Sequence, residues 1–122
     1  MMLRTGVDLV EVDRIRRSLE NPRFLRRFFG ERERLWLEAK GCPPHSVAAN
    51  FCAKEAFSKA LGTGVRGFAL REVELLRDEL GAPCFHLSGR ARELAQAKGL
   101  IFSVSVSHTR ELALAFVVAT GG

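Results

Sequence analysis

Long apolar runs and paired cysteines are both missing from this 122-residue sequence. No stretch of eighteen or more apolar residues occurs, so we expect no transmembrane helix. The N-terminus lacks the basic start, apolar stretch and cleavage site of a signal peptide, which predicts a cytoplasmic protein. The three cysteines, Cys42, Cys52 and Cys84, are odd in number and form no CxxC motif. We therefore expect neither a disulfide framework nor a zinc site, and we expect Cys52 to be a small buried residue.

The remaining composition is that of one folded domain. The chain is 47% hydrophobic and 27% charged, which provides enough apolar surface for a core and too much for a disordered chain. Internal repeats and low-complexity segments are absent. We expect a single domain that covers residues 1–122, because this length is too short for two.

Positive charge is concentrated in one part of the chain. Residues 14–34 contain eight arginines and three glutamates, and this surplus equals the net charge of +5 for the whole sequence. A solvated arginine-rich face and a docking surface for an acidic partner both explain the pattern. The charge alone does not decide between a nucleic acid and an acidic protein as that partner.

Hydrophobic periodicity predicts an α+β fold in which an antiparallel sheet packs on a long central helix. Asn21-Pro22, Gly41 and Pro43-Pro44 separate the early elements, and Ser88 is expected to cap a helix. The predicted elements are a strand at 3–10, short helices at 12–19, 24–29 and 31–40, a long helix at about 46–61, a hairpin of 72–78 and 83–87, a helix ending at 98, and two strands at 101–108 and 112–119.

The last two strands are predicted from strict alternation. In IFSVSVSH, residues 101–108, apolar side chains alternate with serines, and LALAFVVA follows after a short connection. Two antiparallel strands with one packed face fit this pattern, and the serines need be only its polar face. His108 ends the first of these strands. Its role is either structural or functional, because functional side chains often gather where strands enter loops.

The segment FCAKEAFSKALGTG, residues 51–64, combines an alanine-rich helix with charged side chains and a glycine-rich end. At 100° per residue, the alanines, Cys52 and Phe57 form one apolar arc, which favours a buried central helix. Gly62 and Gly64 are expected to end this helix. The opposite arc carries its polar residues, which are Asn50, Lys54, Glu55, Ser58 and Lys59.

Those charges have two interpretations on spacing alone. Glu55 and Lys59 are four residues apart, in the favourable order for a helical ion pair worth about 0.3–0.5 kcal/mol. Alternatively, Lys54 and Lys59 beside a Gly-x-Gly turn supply the positive charge and the open backbone that a phosphate ligand needs. Glu55 between them would repel phosphate unless a divalent cation bridged the two, and Mg²⁺ is suited to that role.

A magnesium site of this kind needs a second carboxylate, and Asp8 is the candidate. It lies near the end of the first strand, on the face opposite to the apolar residues. Those apolar residues are Leu3, Val7 and Leu9. A role as a strand-end cap is the alternative for Asp8, and Glu11 and Asp13 compete with it as metal ligands.

Three segments carry a family resemblance over nearly the whole chain: GVDLVEVDRI, AKEAFSKALGTG and SVSVSHTRELALAFVVA, in this order. Together they resemble the holo-acyl-carrier-protein synthases, which are the short 4′-phosphopantetheinyl transferases of fatty-acid synthesis. The resemblance implies the phosphopantetheinyl transferase fold. It also implies a Mg²⁺-dependent transfer of phosphopantetheine from coenzyme A to a serine of an apo acyl carrier protein, with release of adenosine 3′,5′-bisphosphate.

Matching the motifs residue by residue implies roles for the candidate site. Asp8 and Glu55 correspond to the two protein ligands of Mg²⁺, and Lys59 corresponds to the lysine at the coenzyme A phosphates. His108 corresponds to a histidine at the adenylate end of the ligand. The turn that would approach the same ligand consists of Gly62, Thr63 and Gly64. The base that removes the serine proton is left open between Glu55 and a metal-bound water.

The resemblance also implies partners. Arg14 and Arg23 match carrier-docking positions, and Arg17 on the same helix as Arg14 would help to steer the acidic carrier. A one-lobed member of this family is expected to form a homotrimer with active sites at subunit interfaces. One position departs from the family, because Asn50 replaces a common arginine that would help to bind a nucleotide phosphate. Arg66 or Arg71 would then have to compensate.

Three other functions compete with this interpretation. A nucleic-acid-binding module would explain the arginines, but it shows no recognised motif and would leave Asp8, Glu55 and the glycine turn without a role. Another Mg²⁺-dependent phosphoryl-group enzyme, such as a phosphatase or nuclease, would use the same carboxylates without needing a carrier protein. A purely structural subunit is the third alternative. We therefore expect an enzyme without nucleic-acid or membrane partners.

Overall fold

The longest helix, in the middle of the chain, is the element on which the others pack. The computed structural model describes residues 2–121, and its elements confirm the predicted α+β order with small shifts at their ends. They are β1 (Met2–Glu11), α1 (Val12–Ser18), α2 (Phe24–Phe28), α3 (Glu31–Ala39), α4 (Pro44–Leu61), a 3₁₀ turn (Leu70–Glu72), β2 (Val73–Arg77), β3 (Pro83–Leu87), α5 (Gly89–Ala97), β4 (Leu100–His108) and β5 (Leu112–Gly121).

Local sequence signals at both ends determine the extent of α4. Pro44 occupies the first turn, where a missing N–H costs nothing, and Gly62 ends the helix with a left-handed φ of 91°. Thirteen of the eighteen residues of α4 are buried. Between the N-terminal turn and Gly62, only Glu55 and Lys59 retain substantial access to solvent.

A three-stranded antiparallel sheet in the order β1-β5-β4 covers one side of α4, and β2 and β3 form a separate hairpin. Small side chains allow the close approach of the sheet to the helix. Gly6 and Ala115 lie on the buried face of the sheet, and the alanines of α4 meet them there. In the register of β1 and β5, Asp8 pairs with Ala115, so Asp8 belongs to the face that packs on α4.

The other face of this sheet is apolar and open to solvent in the single chain. Phe116 on the central strand is 43% exposed and lies between Val7 of β1 and Ser105 of β4 in the strand register. We call this surface the outer sheet face. Its exposed large apolar residues are Leu3, Val7, Leu9, Ile101, Leu112, Leu114 and Phe116.

The interpretation of Lys54 as part of a phosphate-binding site on α4 is wrong. Asn50, Lys54 and Ser58 belong to its polar arc, but all three are buried. Glu33 of α3 and the backbone of β2 cover Asn50 and Lys54. Lys54 Nζ donates to Glu33 Oε1 at 2.5 Å and to the backbone oxygens of Val73 at 2.6 Å and Leu70 at 3.1 Å. Lys54 is therefore part of the core and not a phosphate ligand.

The cap of α5 also differs from the expectation. Ser88 is the residue before the helix, as predicted, but its side chain makes no capping hydrogen bond. The carboxylate of Glu72 instead accepts hydrogen bonds from the backbone N–H groups of Arg90 at 3.4 Å and Ala91 at 3.3 Å. None of the helices described between residues 2 and 121 has the length and apolarity to cross a membrane.

Candidate active site

Asp8 and Glu55 are brought together because β1 and α4 pack side by side in opposite directions. Gly6 of β1 lies against the backbone at Ala56, and Arg4 lies against Gly62 at the end of the helix. This crossing puts Asp8 beside Glu55. Both carboxylates lie at the edge of the core, where each retains partial access to solvent. Glu11 and Asp13, the sequence-level competitors of Asp8, are exposed.

The electrostatics of Glu55 show which charged groups surround it. Burial raises the pKa of Glu55, and the nearby negative charge of Asp8 raises it further. Lys59 and Arg14 act in the opposite direction and lower that pKa. Across residues 2–121, the Glu55 carboxylate makes no hydrogen bond or ion pair. It is thus a carboxylate beside a second carboxylate, with its own oxygens available.

The Lys59 side chain extends from α4 to the edge strand β1. Its Nζ donates to the backbone oxygen of Val7 at 2.8 Å and lies 3.4 Å from Asp8 Oδ1. The helical ion pair with Glu55 does not form in the described part of the chain, where Asp8 is the acidic partner of Lys59. The Lys59 side chain is 54% exposed, so the ammonium group is accessible to a ligand.

The glycine turn continues from Lys59 at the end of α4. Gly64 has a left-handed φ of 62°, and a Cβ added there would meet no atom within 4 Å. Thr63 lies between the two glycines, and its hydroxyl donates to the Gly64 carbonyl at 2.8 Å. A ligand can therefore approach the backbone of this turn closely, next to the Lys59 ammonium.

Cys52 lies deeper in the core than the two carboxylates. Burial raises the pKa of its thiol to about 12, and the charge of Asp8 adds to this effect. The thiol donates to the backbone oxygen of Ala113 at 3.3 Å. Cys52 is fully buried, as predicted, and a neutral buried thiol is no nucleophile.

His108 lies beside this cluster and not within it. It pairs with Ala113 of β5, which pairs in turn with Val10, so two strand spacings, or about 10 Å, separate His108 from β1. His45, at the start of α4, stacks on the His108 ring with 4.7 Å between the ring centroids. Sequence reasoning missed this partner, and its position next to Pro43-Pro44 was the only available signal.

The two stacked imidazoles line a cavity of about 400 Å³. Two guanidinium groups also face it, and Arg16 among them carries an ion pair with Asp13. No carboxylate lines the cavity within the described residues. The complete lining is Val12, Arg16, Pro44, His45, His108, Thr109 and Arg110. Its chemistry suits an anionic or aromatic group.

The arginines of the first helices remain on the surface. Arg14 and Arg17 are exposed on α1, and Arg23 is exposed directly before α2. Because the charge of Arg14 influences Glu55, the arginine surface begins next to the carboxylate pair. A partner bound to these arginines would therefore lie close to the site.

Asn50 does not face this site. Its side-chain amide donates to Glu33 Oε2 at 3.0 Å and to the Leu75 carbonyl at 3.2 Å, and its oxygen accepts from Arg77 at 3.1 Å. All of these contacts lie in the buried cluster around Glu33. The asparagine is thus part of the core, and in this chain position 50 is not directed at a solvent-exposed ligand.

Comparison with known proteins connects this geometry to a family. The family model of the 4′-phosphopantetheinyl transferase superfamily matches residues 4–117. A holo-[acyl-carrier-protein] synthase of Caldanaerobacter subterraneus subsp. tengcongensis is 42% identical and covers 100% of this chain and 98% of its own length. The synthase of Clostridium beijerinckii is also 42% identical, with 97% of each protein covered.

Solved structures show the same fold. The holo-[acyl-carrier-protein] synthase of Neisseria meningitidis matches with a TM-score of 0.90 at 35% identity, over 96% of this chain and 97% of that one. The synthase of Bacillus anthracis in complex with coenzyme A (3′,5′-ADP) matches with a TM-score of 0.82 at 33% identity, over 100% of both chains. This chain therefore belongs to the 4′-phosphopantetheinyl transferase superfamily, within its holo-[acyl-carrier-protein] synthase family.

Proposed function

We propose that this chain transfers 4′-phosphopantetheine from coenzyme A to a serine hydroxyl of an apo acyl carrier protein and releases adenosine 3′,5′-bisphosphate. The relatives that match over their full length are named for this activity, and one of the matching structures contains the coenzyme A nucleotide. The observation that carries the proposal is the grouping of Asp8, Glu55 and Lys59 beside an open glycine turn. Residues 1–122 would form one transferase domain, which we expect to act in the cytoplasm.

Mg²⁺ fits the residues that would bind it. Asp8 and Glu55 are close enough to raise the pKa of Glu55, so a cation between them would relieve the repulsion between the two carboxylates. No group of three or more histidine, cysteine or acidic side chains suited to a metal occurs among the described residues. Mg²⁺ does not need one, because it is commonly bound by one or two carboxylates together with phosphate oxygens and waters.

The residues of this chain then perform three tasks. Asp8 and Glu55 would hold the metal ion, which would supply positive charge at the phosphate groups when bound. Lys59 binds the coenzyme A phosphates and stabilises the negative charge that develops on the departing nucleotide. The turn of Gly62, Thr63 and Gly64 lets the same phosphates approach its backbone. Catalysis is mostly positioning and charge stabilisation, as is usual for transfer at phosphorus.

The acceptor hydroxyl comes from the carrier protein, so no nucleophile of this chain is required. Glu55, whose carboxylate makes no other hydrogen bond among residues 2–121, is one acceptor for the serine proton, and water is the other. Arg14, Arg17 and Arg23 would bind the acidic carrier and orient its serine beside the carboxylate pair. The cavity lined by His45 and His108 would receive the adenylate end of coenzyme A.

The outer sheet face supports a homotrimer as the active assembly. Isolated exposed apolar residues are ordinary, but a contiguous apolar patch on a sheet indicates an interaction surface. Seven large apolar side chains are exposed there on three adjacent strands. We propose that three copies bury these faces against each other and that the active sites lie at the subunit interfaces.

Substitution of Phe116 by aspartate is expected to convert the trimer into monomers. Phe116 lies on the central strand of the outer sheet face, so the new carboxylate would be buried without a partner in the assembly. Sedimentation velocity of both proteins measures the mass directly. Leu80→Asp is the matched control, because Leu80 is 95% exposed at the β2–β3 turn, outside this face, and its variant should stay trimeric. A wild-type protein that is monomeric at micromolar concentration would exclude this assembly.

Intact mass spectrometry of an apo acyl carrier protein tests the proposed reaction. After incubation with this protein, coenzyme A and Mg²⁺, the carrier should gain the mass of one phosphopantetheine group, and EDTA should prevent the gain. Asp8→Asn and Glu55→Gln should each lower the rate by at least about 100-fold, because each removes a carboxylate from the proposed metal site.

Glu11→Gln is the matched control for these two variants. It neutralises an exposed carboxylate at the end of the same strand, three residues after Asp8, and should leave the rate within about twofold. If several folded apo carriers gain no mass, the transferase proposal fails. If Asp8→Asn and Glu55→Gln both keep full activity, the transferase proposal stands but the proposed metal site is disproved.

A further inference from the structure

Arg4 places a guanidinium group at the glycine turn that ends α4. It lies on the same face of β1 as Gly6 and Asp8, and a Cβ added to Gly62 would collide with Arg4 Nη1 and lie 3.4 Å from its Cζ. The absence of a side chain at Gly62 thus leaves room for this guanidinium. We propose that Arg4 is a further ligand-binding residue, which binds a phosphate of coenzyme A across the turn of Gly62, Thr63 and Gly64.

The Arg4 guanidinium has no acidic partner in the described part of the chain. Its only hydrogen bond there runs from Nε to the thioether sulfur of Met2, at 3.2 Å, and a thioether is a weak acceptor. Lys59, by comparison, already contacts Asp8 and the Val7 carbonyl. Arg4 is therefore a cation at this turn whose Nη donors remain available for an anion.

The backbone of the turn provides matching donors. Among residues 2–121, the N–H groups of residues 63–67 make no hydrogen bond to a protein acceptor. Gly62 and Gly64 have left-handed φ angles of 91° and 62°, and turns with such residues can direct neighbouring N–H groups toward one concave side. Open backbone donors beside a planar, permanently charged guanidinium form a site suited to phosphate oxygens.

The position of Arg4 extends the proposed active site along β1. Asp8 and Arg4 are separated by four residues of strand, or about 13 Å, and Lys59 reaches the strand between them. The carboxylate pair would act at one end of the phosphate groups, and Arg4 would bind phosphate oxygens toward the glycine turn. This inference rests on the proposed function, since it assigns a binding residue for the same substrate.

A purely structural role is the competing explanation for Arg4. A cation near the C-terminal end of a helix interacts favourably with the helix dipole, and Arg4 lies at that end of α4. Such a role would change thermal stability and leave coenzyme A affinity unchanged. The two roles therefore differ in a measurable way.

Calorimetric titration with coenzyme A, combined with steady-state kinetics, separates them. In Arg4→Met, the Kd and KM for coenzyme A should rise about tenfold, which is typical of a lost charged hydrogen bond, while kcat stays within about twofold. Arg4→Lys should be intermediate, because it keeps the charge without the planar fork of donors. The control Arg92→Met removes an exposed arginine from α5 and should bind coenzyme A like the wild type.

The outcomes distinguish this inference from the proposed function. If the wild-type protein does not bind coenzyme A, the proposed function fails. If the wild type binds it and Arg4→Met binds it equally well, only the inference about Arg4 is overturned. A lowered melting temperature in Arg4→Met with unchanged Kd would assign Arg4 to the end of the helix and would also overturn the inference.

Discussion

Replacement of Lys54 by methionine is expected to lower the free energy of unfolding by about 3–5 kcal/mol, the usual cost of breaking a buried ion pair by removing one partner. Lys54 and Glu33 are both fully buried. Methionine would fill the space of the lysine stem but leave the Glu33 carboxylate without its cation. The backbone oxygens of Leu70 and Val73 would lose their donor at the same time.

The cluster around Glu33 connects separate parts of the chain. Besides Lys54, the carboxylate accepts hydrogen bonds from Asn50 at 3.0 Å, from the Leu75 N–H at 3.2 Å and from the Gly30 N–H at 3.3 Å. Burial raises the pKa of Glu33 and lowers the pKa of Lys54, while the attraction between the two groups opposes both effects. A single substitution therefore disturbs contacts of α3, α4 and β2 together.

Lys59→Met provides the matched control on the same helix. The side chain of Lys59 is 54% exposed, so we expect its loss to change stability by less than about 1 kcal/mol. It should instead impair the transfer reaction. Urea unfolding, at one protein concentration for all variants because assembly shifts the midpoint, measures both stabilities. Equal stability of the two lysine variants would show that the buried pair does not stabilise the fold.

The contrast between these lysines explains what the sequence of α4 can predict. Helical periodicity correctly placed Lys54 and Lys59 on one broad polar arc, but it does not reveal which neighbouring elements cover that arc. The partner, Glu33, is 21 residues away in the chain. Its pairing with Lys54 depends on how α3 packs on α4, which no local pattern specifies. A polar side chain in the middle of an otherwise apolar helix was the only available signal.

The same limit applies to the sheet. Alternation separated the two faces of β1 correctly, because its period of two is a local property. It did not decide that the face with Leu3, Val7 and Leu9 would be open in the single chain. That outcome follows from size: the face with Gly6 can approach the alanines of α4, and leucines cannot. In the proposed assembly, this open apolar face is buried against other copies of the chain.

For the candidate site, the family resemblance predicted more than local periodicity did. The family resemblance singled out Asp8, Glu55 and Lys59, and the structure brings these three together. Periodicity alone left Asp8 in competition with Glu11 and Asp13. His45 and Arg4 were not recognised, because each matters only through a residue that is distant in the chain: the end of β4 lies next to His45, and the end of α4 lies next to Arg4.

Gly6→Ala is expected to be the second severe substitution, with a loss of at least about 3 kcal/mol, at the upper end of the range for overpacked cores. The added Cβ would overlap the carbonyl oxygen of Ala56 and lie 2.7 Å from the backbone N of Ala60. Both atoms belong to the backbone of a buried helix, so no side-chain rotation relieves the clash. β1 and α4 would have to separate, and transfer activity should fall as well, because this crossing holds Asp8 beside Glu55.

Gly81→Ala distinguishes a close approach from backbone strain. Gly81 has a left-handed φ of 87°, but a Cβ added there meets no atom within 4 Å, so only the strain of about 1–2 kcal/mol applies. Urea unfolding of both variants, with circular dichroism as the readout, should therefore show a clearly larger loss for Gly6→Ala. Equal losses would contradict the close packing of β1 on α4. A larger loss at Gly6 together with reduced turnover would show that the crossing which stabilises the fold also positions the two carboxylates.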